Sequence, residues 1–179
     1  KAFDDSADGT GAGEGVGVIY IKKLKDAIKD KDDIYCVIKG VYANCDGDSN
    51  GITAPNPYAQ ASLISGNIKK SGIAADSLSY FEAHGTGTKL GDPIEIEGIA
   101  KAIGANTSKK QFCAIGSSKT NLGHLDHAST MASIMKCVLS LKNKELYPSL
   151  NFNLPNRLID FSDTPVYLNT KYRHWDTKE

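Results

Sequence analysis

Two stretches of this chain repeat one design, and that design restricts the fold more than any other feature. "SLSYFEAH" (77–84) is an apolar, aromatic run that ends in a histidine and passes through "GTGTKL" into the helix start "GDPIEIEGIAKAIG". "QFCAIGS" (111–117) runs through "SKTNLGH" (118–124) into a long apolar helical pattern. Strands that alternate with helices imply parallel strands joined by crossover helices, so the expected class is α/β with a mainly parallel sheet. In such sheets functional groups gather just beyond the carboxyl ends of the strands. His84 and His124 both occupy that position.

The remaining segments fit the same class. "GVGVIYIKKL" (Gly15 to Leu24) predicts a buried strand, β-branched and bounded by glycine. A short charged helix or turn follows, then a second long strand, "IYCVIKGVYANC" (Ile34 to Cys45), stopped by the turn-rich "DGDSNGITAPNP". From Pro57 to Lys70 the apolar spacing is helical, with Pro57 in the first turn and Gly72 as the stop. In "GDPIEIEGI", Asp92 is the expected N-cap, Pro93 the first helical residue and Glu95 the capping-box partner. Between Leu125 and Leu141 apolar residues surround the helix, and Lys136 is the only formal charge in its middle. Such a helix must be covered on several sides, which predicts a layer between sheets.

At 179 residues the chain is one domain or part of a larger one. Lysine plus arginine equals aspartate plus glutamate, at 21 each, so no net field favours a nucleic-acid partner. Cys36, Cys45, Cys113 and Cys137 form no C-x-x-C pair; three of them sit in apolar runs and read as small buried hydrophobes, with neither a disulfide framework nor a zinc site, in a reducing compartment. No apolar run approaches a bilayer span and "KAFDDSADG" is no signal peptide, so the expectation is a soluble, cytoplasmic chain with no membrane partner.

The chemistry concentrates in the two loops. Glycines allow close approach of a ligand, while Thr86, Thr88 and free N–H groups supply donors. Two imidazoles and the Lys119 ammonium converging there could stabilise charge on a carbonyl oxygen. Other readings exist for each group. "GTGT" could cradle phosphate but lacks the Walker Lys-Ser ending. His124 and His127 could bind metal only with acidic partners.

Taken together, "EAHGTGTKLGDPIEIEGI" and "GSSKTNLGHLDHA" resemble the β-ketoacyl synthase family, above all the ketosynthase domains of modular polyketide synthases. "FDDSADGTGAGEGVGVIYIKKLKDA", "VYANCDGDSNGITAPN" and "YPSLNFNLPNRLIDF…VYLNTKYRHW" resemble its flanking segments. The wording "SNGITAPN" looks most like assembly lines of the trans-acyltransferase kind.

The resemblance implies a thiolase-like α-β-α-β-α sandwich, here mainly its second half. Residues 1–33 would end the N-terminal half. Residues 34–179 would form the C-terminal half, lacking the final Gly-Phe-Gly-Gly strand. It implies decarboxylative Claisen condensation of a malonyl-type extender on acyl carrier protein with a cysteine-bound acyl chain. His84 and His124 would hold the extender carbonyl, and Lys119, paired with Glu95, would tune them. Thr86 and Thr88 would contact the phosphopantetheine arm. No dissociable cofactor or metal is implied; the partners are acyl carrier protein, the rest of the synthase and a second copy in a homodimer.

None of the four cysteines has the family's T-A-C-S-S context, so the chain is expected to be inactive alone. "DHASTMAS" adds bulk where the family often has A-A-G-x-A-G, and no role carries over to His127. A non-catalytic module that binds carrier protein or a structural partner, and a thiolase-like degradative enzyme, are the competing readings.

Overall fold

The computed structural model describes residues 1–47, 51 and 55–176. In chain order its helices are α1 (Leu24–Asp30), α2 (Pro57–Ser71), α3 (Gly91–Gly104), α4 (Lys119–Leu122) and α5 (Ser129–Asn143). Its strands are β1 (Tyr80–Glu82), β2 (Cys113–Gly116), β3 (Glu145–Leu146), β4 (Val166–Leu168) and β5 (Arg173–His174). The sheet order is β1-β2-β4, all parallel, with Phe81 opposite Ile115 and Ala114 opposite Tyr167. The parallel sheet expected from the alternating pattern is therefore present. A two-stranded antiparallel pair, β3-β5, lies beside it.

β2 is buried along its whole length and its side chains divide the core by their period of two. Cys113 and Ile115 join Phe3, Ile99, Ile103 and Val166 on one face, while Ala114 meets Leu146 and Trp175 on the other. α3 supplies Ile96, Ile99 and Ile103 to the larger cluster. α2 lies against α3 where Gly98 leaves room: a Cβ there would stand 3.0 Å from the Gln60 Cβ and 3.2 Å from the Pro57 carbonyl oxygen. α2 begins and ends as its sequence predicts. The Asn56 side chain takes the N–H groups of Tyr58 and Ala59, and Gly72 closes the helix at φ 66°.

Three expectations fail. Neither Gly15 to Leu24 nor Ile34 to Cys45 forms a strand among the described residues, and Leu24 instead opens α1. A strand needs a backbone partner, and none of the described residues provides one. The first segment rests its glycine side on α5, where a Cβ on Gly17 would be 2.8 Å from the Met131 Cβ. Its other side is open, with Val16 94% and Tyr20 89% exposed. The second leans on α2 through Tyr42, whose ring lies against Gly66. The predicted helix from Leu125 is also shorter: Asp126–Ala128 form a 3-10 turn, and regular helix starts at Ser129. It is not enclosed within this chain, since Leu139 is 51% exposed and Met135 38%.

The start of α3 differs as well. The N-cap position belongs to Leu90, which has no side-chain cap, and Thr88 Oγ1 accepts the Gly91 N–H at 3.2 Å. Asp92 lies inside the first turn, almost fully buried, and Glu95 is no capping-box partner. Both carboxylates turn toward the preceding loop instead.

Candidate active site

The loop 84–88 is held by those two carboxylates. Glu95 accepts the His84 N–H at 2.7 Å on one oxygen and the Gly85 N–H at 2.8 Å on the other. Asp92 accepts the Gly87 N–H at 3.1 Å, the Thr88 N–H at 3.3 Å and the Phe3 N–H at 2.6 Å. Backbone donors pointed at a buried and a half-buried carboxylate fix the loop without side-chain bulk, which explains its sparse composition. Burial raises both carboxyls above their usual range, while the N–H donors pull the other way. Gly85 has φ +46°, and a Cβ there would lie 2.7 Å from the Ser117 Cβ. Ser117 Oγ donates across to the carbonyls of His84 and Gly85, tying the first loop to the second.

The second loop passes through α4 to Gly123. The N-terminal arm binds it: the His124 N–H donates to Gly11 O at 2.8 Å, and the Gly13 N–H donates to His124 O at 3.0 Å. With φ +76°, Gly123 has no room for a side chain, because a Cβ would be 2.7 Å from Gly11 O. His124 is thus fixed through its backbone before its ring makes any contact.

The two imidazoles meet. Their centroids are 5.5 Å apart with the planes at 85°. Lys119, 7% exposed, places Nζ 3.4 Å from His84 Nδ1. His124 Nδ1 receives the Asp126 N–H at 3.0 Å. A backbone N–H only donates, so His124 Nδ1 is the acceptor and Nε2 carries the proton. A charged ammonium likewise only donates, which makes His84 the same tautomer. Partial burial first, then the neighbouring Lys119 and His124, hold the His84 pKa below its usual 6.5. Desolvation lowers Lys119, opposed by Glu95 and Glu82. Two neutral N–H donors beside an ammonium form a site that can accept negative charge on an oxygen.

His84, His124 and Lys119 are therefore brought together as the sequence suggests. The expected direct pairing of Lys119 with Glu95 is not formed; the two interact through space, and the Nζ hydrogen bond goes to His84. Thr86 and Thr88 face each other at 3.4 Å, with Thr88 also holding the start of α3. His127 is exposed, and no set of three His, Cys, Asp or Glu among the described residues is placed to hold a metal. No helix among them is long and apolar enough to cross a membrane. All four cysteines are free thiols. Burial pushes Cys113 and Cys137 up to about 12, so neither offers a thiolate near neutral pH.

One residue escaped the sequence reading. The Glu82 side chain is 5% exposed and lies 2.9 Å from the Lys136 ammonium. It takes the Tyr80 hydroxyl at 2.6 Å and the Ser118 N–H, immediately before Lys119. The Lys136–Glu82 approach lacks hydrogen-bond alignment, so charge attraction dominates it. The available signal was the isolated charge of Lys136 on an apolar helix, which needs a buried partner.

A family model described as "Beta-ketoacyl synthase, C-terminal domain" matches residues 35–153. The chain belongs to the β-ketoacyl synthase family. Polyketide synthase PksL of Bacillus subtilis (strain 168) is 46% identical over 179 residues, all of this chain but 4% of that protein. Polyketide synthase PksM of the same organism is 49% identical over 175 residues, 98% of the chain and 4% of that protein. Among solved structures, the ketosynthase from module 6 of the bacillaene synthase from Bacillus subtilis 168 superposes with TM-score 0.90 at 41% identity, over 99% of this chain and 32% of its own. The ketosynthase from module 1 of the bacillaene synthase from Bacillus amyloliquefaciens FZB42 gives 0.93 at 41%, over 100% and 33%. The fold is that of the thiolase-like ketosynthase domains. The chain is the C-terminal part of such a domain, about a third of the ketosynthases it matches.

Proposed function

We propose that this chain is the decarboxylating half of a polyketide ketosynthase that extends an acyl chain by decarboxylative Claisen condensation. The observation that carries the reading is the meeting of the His84 and His124 rings at 5.5 Å, both as Nε2–H donors. A malonyl-type thioester carbonyl oxygen held between those donors would take up the electron pair released when the C–C bond to the carboxylate breaks and CO₂ leaves. The resulting enolate carbon attacks the acyl thioester on a cysteine from outside this chain, and that cysteine departs as thiolate. Lys119 keeps His84 neutral and in its donating tautomer. Glu95 holds the His84 backbone, and Thr86 and Thr88 lie where a phosphopantetheine arm would pass.

Acyl carrier protein delivers the extender, so no dissociable cofactor is required. The intact domain pairs with the rest of the synthase, in the cytoplasm and as a homodimer. The match from residue 35 supports a division near 33/34 between the end of the first ketosynthase half and the second. The assignment to trans-acyltransferase assembly lines rests on the wording of residues 49–56, which lie largely outside the described residues.

The test uses the intact ketosynthase with malonyl-loaded acyl carrier protein. His84→Ala and His124→Ala should each abolish formation of acetyl carrier protein while acylation of the nucleophilic cysteine continues. Decarboxylation at the unmodified rate in either variant would overturn the proposal.

A further inference from the structure

We propose that Ser129 is a positioning residue that locks the His124 ring in its donating orientation, an inference that rests on the role given to His124 above. Ser129 Oγ lies 3.1 Å from His124 Nδ1, the same nitrogen that receives the Asp126 N–H at 3.0 Å. Because Nδ1 is already an acceptor, the Ser129 hydroxyl donates to it as well. Two donors therefore converge on one ring edge.

The surroundings fit a dedicated role. Ser129 is 8% exposed and opens α5, but the N-cap of that helix is Ala128, which makes no side-chain cap. The Ser129 hydroxyl is thus directed to the imidazole. Asp126, which presents the other donor, stands at φ +52°, a left-handed conformation that a non-glycine residue adopts only at some cost. The 3-10 turn at Asp126–Ala128 brings both donors to the ring at once.

The consequence concerns rotation of the ring. A half-turn of the imidazole would replace Nδ1 with a C–H and leave both donors facing carbon. With Asp126 alone, one hydrogen bond opposes that turn; Ser129 adds a second. Since the backbone of His124 is pinned to Gly11 and Gly13, the side-chain torsions are the remaining freedom at this position. Fixing them gives Nε2–H one direction beside the His84 ring, 5.5 Å away, which matters for the carbonyl step and not for loading the cysteine.

The test compares Ser129→Ala, Ser129→Val and Ser129→Thr in the intact ketosynthase, with His124→Ala beside them and malonyl-loaded acyl carrier protein as the probe. Loss of one neutral hydrogen bond is expected to lower kcat for decarboxylation about fivefold in the Ala and Val variants, with KM and the rate of cysteine acylation unchanged. Ser129→Thr, which keeps the hydroxyl at nearly the shape of valine, should stay near the unmodified rate. Unmodified acylation reports a folded protein in each case. A Val variant as fast as the unmodified enzyme, or a Thr variant as slow as Val, overturns the role of Ser129. A His124→Ala enzyme that still decarboxylates at full rate overturns the underlying reading of His124 instead.

Discussion

Glu82 and Lys136 form a buried pair whose removal should behave unlike any surface ion pair. Their side chains are 5% and 13% exposed, so neither charge is compensated by water. Lys136→Met leaves the Glu82 carboxylate with the Tyr80 hydroxyl and the Ser118 N–H but no counter-charge in contact, Lys119 acting on it only through space. Removing one member of a buried pair costs about 3–5 kcal/mol, and the two remaining donors place this case near the lower end. Glu82→Gln strands the ammonium, with the Tyr80 ring face at 5.5 Å as its remaining electrostatic partner, and should cost a similar amount. The double variant Glu82→Gln/Lys136→Met removes both charges and should lie within about 1 kcal/mol of the unmodified protein. Urea unfolding of the intact ketosynthase and its three variants closes the cycle, which expresses the coupling directly. If the double variant is destabilised by the sum of the singles, the pair is not a coupled buried unit and the reasoning fails.

Four further outcomes follow from the loops. His84 prefers its neutral form in the fold, so its contribution to stability is present above the usual 6.5 and is lost as pH falls from there through the lowered folded value. Lys119→Met removes one of the charges that depress it; the acid limb of the decarboxylation rate should move to higher pH yet remain below 6.5, because burial is the larger cause, and a shift to lower pH would contradict this. Glu95→Gln replaces one of two acceptor oxygens with an amide that cannot take an N–H; decarboxylation should fall about tenfold, as expected for a lost bond to a charged acceptor, while acylation holds. Gly123→Ala forces a Cβ toward Gly11 O at positive φ and should cost about 1–3 kcal/mol in urea unfolding with loss of decarboxylation.

Much of the site was legible because its signals are local. A strand that runs into small residues and a helix start fixes where an imidazole emerges: His84 stands two residues past the end of β1, and His124 closes the loop that leaves the neighbouring β2 through α4. The capping reading of Asp92 and Glu95 failed for a related reason. Capping statistics weigh only a helix's own first N–H groups, whereas here the donors in greatest need belong to the loop at His84, Gly85, Gly87 and Thr88. The tethers from Phe3, Gly11 and Gly13 are separated from their partners by more than 80 residues of sequence and leave no local pattern.

The same distinction accounts for the segments that did not become strands. A hydrophobic pattern reports what a segment needs in order to be covered; it does not report which residues do the covering. Between Gly15 and Leu24 both faces ask for cover, since glycines alternate with valines. α5 satisfies the glycine face through Met131 and Met135, and Val16, Val18 and Tyr20 face outward on the other. α5 shows the complementary situation, with one side against the sheet's cluster of Glu82, Ser118 and Tyr80 and Leu139 open on the other. Ketosynthases about three times the length of this chain share its fold over nearly all of it. The unmet demand of these two elements therefore marks one apolar groove, in which Gly15, Val16 and Gly17 meet Met131, Met135 and Leu139 of α5, with Leu125 at its edge next to His124 in sequence.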